Sequence, residues 1–242
     1  MLLDTRPLVV STVVAALLWA TGCAKDPSKE VPAAQVAEPQ AAAPAPAAEP
    51  AAAPAPAPVA AAAPAAVAAP AAAPAGLPLS GSISAIGSKV TGQHILLFKT
   101  WTGSLQLKDG KAEGGALKFD VDVASVVSDP DNRNPFSEKL DGHLKSGDFF
   151  DVEKSPKATF ESDAITAGGL GGTHTIKGRL TLRATTKEVT FPATIAAAGK
   201  DITGKAEFTI NRKDFGLAYP GKPDDLIRDG VVLKIDLKAT QL

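Results

Sequence analysis

The sequence has one cysteine, Cys23, three histidines and no extended basic run, and each scarcity removes a class of function. With the cysteine outside the part of the chain rich in large apolar residues, that part has no disulfide, no thiolate metal site and no thiol nucleophile. His94, His143 and His174 stand in separate segments without a second ligand at metal-type spacing, so they are read as structural or solvated. Asp129-Pro130-Asp131 opens like a calcium loop, but Asn134 stands where that loop needs glycine and Leu140 where it needs glutamate. No metal is expected. Twenty-five Lys and Arg against 26 Asp and Glu give a formal net charge of -1, which offers phosphate no concentrated positive field and excludes nucleic acid as partner. No Gly-x-Ser-x-Gly elbow, phosphate loop or dinucleotide fingerprint occurs, and Asp224 and Asp225 sit in a Pro-Gly-rich loop where carboxylates are solvated. Catalytic residues are therefore not assigned, and the protein is not read as an enzyme.

What is present divides the 242 residues into three parts. Residues 8–19 form an apolar stretch behind Arg6, too short for a confident membrane span and suited to a secretory signal peptide. Ala20-Thr21-Gly22 then places small residues before Cys23, similar to the lipobox of bacterial lipoproteins, in which the cysteine is acylated and becomes the new N-terminus. Residues 1–22 are read as signal peptide and Cys23 as a lipid anchor, holding the protein in the periplasm. Ala24, rather than Asp, after the cysteine points to the outer membrane. Residues 23–76 are read as an acylated N-terminus and linker. Within it, 31–75 is mostly Ala and Pro, which forbids continuous helix and buries too little surface to fold. The expectation is a disordered, semi-rigid spacer, dispensable for folding, with a reach on the order of 140 Å when extended.

From residue 77 to 242 the dominant period is two. Phe119, Val121 and Val123 alternate with Lys118, Asp120 and Asp122; Val231, Leu233, Ile235 and Leu237 alternate with Lys234, Asp236 and Lys238. Similar patterns surround Leu105, Phe160, Leu180, Phe191 and Phe208, and turn signals such as Lys108-Asp109-Gly110-Lys111 separate them. About eight half-buried strands joined by hairpins are best served by an antiparallel barrel, which removes open edges. One segment breaks the period: Asn134-Pro135 reads as N-cap and first helical residue, and Phe136, Leu140 and Leu144 recur every four residues until Ser146-Gly147. This short helix is placed beside or in a barrel opening. An interior bounded by about eight strands is either filled by side chains or just wide enough for one slender ligand, and the strand pattern leaves both open.

Five motifs in series carry a family likeness: Asp141-Gly142-His143-Leu144-Lys145-Ser146-Gly147-Asp148-Phe149-Phe150-Asp151, Pro156-Lys157-Ala158-Thr159-Phe160, Ile176-Lys177-Gly178-Arg179-Leu180-Thr181-Leu182, Thr186-Lys187-Glu188-Val189 and Ile210-Asn211-Arg212-Lys213-Asp214-Phe215-Gly216. In order and spacing they resemble the YceI-like family. The resemblance implies an all-β, extended lipocalin-like antiparallel barrel with one inserted helix, whose elongated apolar pore binds a polyisoprenoid lipid such as an isoprenoid quinone or its precursor. No other cofactor is implied. The pore wall would be supplied by Phe119, Val121, Phe160, Leu180, Leu182, Phe191, Phe208 and Leu233. Many members carry a histidine in the first strand where Lys89-Val90-Thr91 stands here, so no head-group role passes to His94. The other function open at this point is a structural or stress-related envelope lipoprotein with a fully packed barrel and no ligand. Arg212 and Asp214 are read as a turn-stabilising ion pair.

Overall fold

The computed structural model describes residues 25–39 and 76–241. The segment read as signal peptide, Cys23 with its expected acylation, and residues 40–75 of the Ala/Pro stretch lie outside the described residues. In chain order the strands are β1 (Gln35–Ala37), β2 (Leu77–Lys89), β3 (Gly92–Phe98), β4 (Trp101–Lys108), β5 (Lys111–Asp122) and β6 (Val126–Ser128). The helix α1 (Pro135–Lys145) follows, then β7 (Lys157–Ala167), β8 (His174–Leu182), β9 (Thr185–Ala198) and β10 (Asp201–Asn211). A two-residue pair, β11 (Gly221–Lys222) and β12 (Asp225–Leu226), precedes β13 (Gly230–Thr240).

Eight strands close an antiparallel barrel in the order β2, β4, β5, β7, β8, β9, β10, β13, with β13 returning to β2. The alternation read from the sequence is the inside-outside alternation of the wall: Phe119 and Val121 are buried while Lys118 is exposed, and Ile235 and Leu237 are buried while Asp236 and Lys238 are exposed. Closure leaves each central ladder without a free edge. The joint between β2 and β4 does not run the full height. β2 pairs with β4 only at Leu77 and Pro78, and over 83–89 it pairs with β3 instead, which in turn carries β6. The sequence alternation did not reveal β3 and β6.

The helix forms where its caps place it. The Asn134 side chain accepts from the Phe136 amide at 2.9 Å, the Ser137 hydroxyl accepts from the Asn134 amide at 3.2 Å, and Pro135 occupies a position whose missing N–H costs nothing. α1 packs on β6, where the Asp141 carboxylate accepts from the Ser128 amide at 2.7 Å and from Arg133 at 2.9 Å. Burial pushes the Asp141 pKa up, but the Ser128 bonds and the Arg133 charge outweigh it and hold it below the usual aspartate value.

The spacer reading fails for residues 31–37. Gln35, Val36 and Ala37 pair with Thr190, Val189 and Glu188 of β9, and Ala33 bridges Thr209 of β10. Contact with the barrel begins earlier still: Arg228 donates to the Lys25 carbonyl at 3.1 Å, Thr209 donates to the Ser28 carbonyl at 3.0 Å, and the turn at Pro27–Lys29 packs on β13. Side-chain burial in this segment is small, but backbone groups along β9 and β10 that are not paired with each other supply hydrogen bonds to an extended segment. Residues 40–75 therefore connect two points on the barrel, and the chain is fastened to its wall two residues after Cys23.

Candidate functional site

The barrel interior is divided across its middle. Phe119, Phe160, Phe191 and Phe208, from β5, β7, β9 and β10, form a layer of rings: Phe119 and Phe160 stack at 5.1 Å between centroids, Phe191 and Phe208 at 4.1 Å, and Phe160 meets Phe191 at 5.6 Å. Such contacts add to the burial of the rings themselves. Below this layer Leu105, Leu117, Ile165, Ile176, Ile202, Leu237 and Ala239 fill the barrel, leaving a void of about 50 Å³. Above it lies a chamber of about 430 Å³. The elongated pore implied by the resemblance is thus a half-length chamber with an aromatic floor. A fully packed barrel holds only for the lower half.

All eight residues assigned to the pore wall, Phe119, Val121, Phe160, Leu180, Leu182, Phe191, Phe208 and Leu233, line this chamber. They converge because each faces inward from one of six strands, at the level of the floor or above it, which period two dictates once the register is fixed. The remainder of the lining comes from elements whose contribution spacing could not reveal. Leu140, His143 and Leu144 of α1, with Phe149 and Phe150 after it, close one side of the upper end, and Leu217, Tyr219 and Ile227 close another.

Polar groups gather only at this upper end. Lys89 ion-pairs with Asp225, which also accepts from the Thr91 amide at 3.1 Å and the Thr91 hydroxyl at 3.0 Å. The Lys89 hydrogen bond, helped by those from Thr91, holds the Asp225 carboxyl below the usual range against the effect of burial. His94 lines the chamber with its Nδ1 2.7 Å from Asp129 Oδ2, and Asp129 also accepts from the Ile95 amide at 3.0 Å. The carboxylate that begins the apparent calcium loop is thus engaged by the histidine and the neighbouring strand. His143 stands edge-on to Phe149 and to Tyr219, each at 5.0 Å, with Nε2 3.1 Å from Asp148. His174 lies at the other end of β8, 8% exposed, 3.1 Å from Glu113 and outside the chamber lining.

Arg212 is 4% exposed, and its partner is Asp229 at 3.2 Å rather than Asp214. It donates as well to the carbonyls of Arg228 at 3.1 Å, Ile227 at 3.3 Å and Leu217. Burial lowers its pKa and Asp229 opposes that. Asp214 is only two residues along the chain, but the chain enters the turn Arg212–Phe215 there and directs the guanidinium to the returning loop. Arg212 is the staple of the upper rim, holding 217 and 227–229 together, and the acceptor set around it leaves the guanidinium engaged by protein. Tyr219 and Asp225 belong to a loop that the sequence already marks as one shaping an entrance, whereas Lys89 and His94 carry no such mark. Their pairings span 35 residues for His94 and Asp129 and 136 for Lys89 and Asp225, distances at which no local motif exists.

A model of the YceI-like domain matches residues 79–239. A UPF0312 protein of Pseudomonas putida (strain W619) is 37% identical over 130 residues, which cover 51% of this chain and 64% of that protein. A UPF0312 protein of Pseudomonas fluorescens (strain SBW25) matches with the same identity and coverage. The chain thus spans less than two thirds of the length of these relatives. Among solved structures, BcnA of Burkholderia cenocepacia superposes with a TM-score of 0.53 at 26% identity, covering 66% of this chain and 96% of BcnA. A polyisoprenoid binding domain from Saccharophagus degradans implicated in plant cell wall breakdown superposes with a TM-score of 0.50 at 13% identity, covering 66% of this chain and 94% of that domain, a likeness of fold alone.

Proposed function

The chain belongs to the YceI-like family, and on that premise we propose that its barrel is a non-catalytic binding module that holds the chain of a polyisoprenoid lipid, such as an isoprenoid quinone or its precursor, in the upper chamber. The observation that carries this reading is the chamber itself: about 430 Å³, walled by aliphatic and aromatic side chains, with charged groups confined to one end. A volume within the roughly 300–1,000 Å³ of small-molecule sites suits a ligand with an apolar body and a polar end. From Ile83 to Lys89 the wall rises about 20 Å along the strand, enough for a few isoprene units. Each methylene leaving water gains about 0.8 kcal/mol, so such a chain is held by shape and burial without one strong polar contact. The head group then lies among Lys89, His94, Tyr219 and Asp225.

Acylation at Cys23 belongs to the same proposal. Because the barrel wall grips the chain from Lys25 onward, an acylated Cys23 would keep the barrel close to the membrane that supplies the lipid, and not at the end of a long spacer. Mass spectrometry of organic extracts from natively purified protein tests the ligand: a prenyl lipid in near-stoichiometric amount is expected, and its repeated absence would remove the reading. The Cys23→Ser protein is expected in the soluble fraction. If it stays with the membranes as the parent does, the anchor is elsewhere.

A further inference from the structure

β9 and β10 pair from Asp201 with Ala198 as far as Lys205 with Thr194, and there the ladder stops. Both strands continue toward the mouth, to Thr185 and Asn211, with a slot between them. Residues 32–37 fill it. On one side the Thr209 amide donates to the Pro32 carbonyl at 2.9 Å and the Ala34 amide donates to the Thr209 carbonyl at 2.8 Å. On the other side β1 pairs with β9. The slot opens on the chamber, because Val189 and Phe191 on one flank and Phe208 and Ile210 on the other all line it. Ala34 and Val36 are the side chains the segment turns toward the core.

This segment beside the chamber is weakly held. β10 and β13 pair over their length, from Asp201 with Thr240 to Asn211 with Gly230, whereas β1 pairs over three residues. Of 32–37, only Val36 has a sizeable apolar side chain, so little surface leaves water when the segment docks. Its two ends are pinned by ion pairs, Asp26 with Arg228 at 3.7 Å and Glu38 with Lys187, in which Glu38 is largely exposed. The Glu38 pair, with its exposed carboxylate, contributes little and weakens with salt, whereas the Asp26 pair is half-buried. Segments with few buried contacts open first.

We propose that the slot is a strand-addition site whose occupant, the chain's own residues 32–37, is exchangeable, and that its release opens the chamber sideways for passage of an apolar chain. The binding mode is the one by which any extended peptide joins a sheet edge through main-chain bonds. A side opening matters because the other routes are narrow: the phenylalanine layer blocks the lower end, and α1 and the 217–227 loop crowd the upper one. A lipid tail longer than the chamber passes a slot along its length without threading end first. This inference rests on the lipid-holding reading.

Gln35 and Thr190 face one another across β1 and β9 on the side away from Val36, so cysteines at both positions, with Cys23→Ser, form a reversible lock outside the chamber. The probe is cis-parinaric acid, a linear polyene that fluoresces in apolar surroundings. Oxidation is expected to slow its association and dissociation by about tenfold or more with little change in affinity, and reductant to restore both. Equal rates in the locked and reduced forms, with the probe bound in each, would overturn the side opening while leaving the binding reading in place. In the unmodified protein, the Ala34 and Thr209 amides are expected to exchange hydrogen roughly a hundredfold faster than the β10–β13 ladder. If no form binds the probe, the lipid reading falls and this exchange decides the slot by itself: fast exchange supports an exchangeable occupant, and exchange as slow as the ladder overturns it.

Discussion

Val121→Trp is expected to empty the upper chamber while leaving the barrel folded. Val121 is 4% exposed on β5, two residues along the strand from Phe119 in the floor, and lines the chamber. An indole there occupies space that a lipid chain would fill. Displacing the equivalent of even two methylenes costs about 1.6 kcal/mol, more than a factor of ten in affinity. Because the side chain grows into a void and not into packed neighbours, the strain of enlargement should stay within about 1–3 kcal/mol, a range the variant's circular dichroism and melting will show. Lipid per folded barrel, read by mass spectrometry, should fall by about an order of magnitude. His174→Ala, beyond the floor, should leave the lipid content unchanged. A folded Val121→Trp protein with the parent's lipid content would place the ligand outside the chamber.

The second large effect is on folding. Gly178 on β8 lies opposite the irregularity in β7 between Ser162 and Ala164, where the two strands come close. A Cβ at Gly178 would stand 2.5 Å from the Glu161 carbonyl oxygen, 2.6 Å from the Phe160 ring and 2.8 Å from the Ser162 Cα. Two of these three are backbone, and Phe160 is held between Phe119 and Phe191 in the floor, so nothing nearby yields easily. Gly178→Val is expected to cost about 3 kcal/mol or more, a large share of the stability of a domain this size, and to lower the urea midpoint accordingly. Gly204→Ala on β10, where an added Cβ meets nothing within 4 Å, is the matched comparison and should change stability by no more than about 0.5 kcal/mol. Equal melting of the two variants would show that β7 and β8 have room the structure does not assign them.

Val121 lies in an alternating run, and alternation is local: Lys118, Phe119, Asp120 and Val121 report which side of a wall each occupies from their neighbours alone. The cost at Gly178 depends on Phe160, which approaches it from the next strand. A glycine within a familiar motif gave no indication of that approach.

Strand by strand, the sequence by itself determined the all-β class, the helix from its Asn134-Pro135 cap, and the inward orientation of the eight side chains assigned to the pore wall, because each of these follows from a period or a cap spanning a few residues. Only the tertiary structure decided the rest. Whether the interior is filled depends on how four phenylalanines from four strands meet at one height, and whether Arg212 pairs with Asp214 or Asp229 depends on where a loop returns. The fate of 31–37 is the sharpest case. Alanine and proline bury too little to fold alone, and that inference about isolated residues is sound. Yet the separation of β9 from β10 leaves unpaired amides and carbonyls some 150 residues away that accept any extended backbone, so the segment becomes part of the wall through bonds its side chains do not encode.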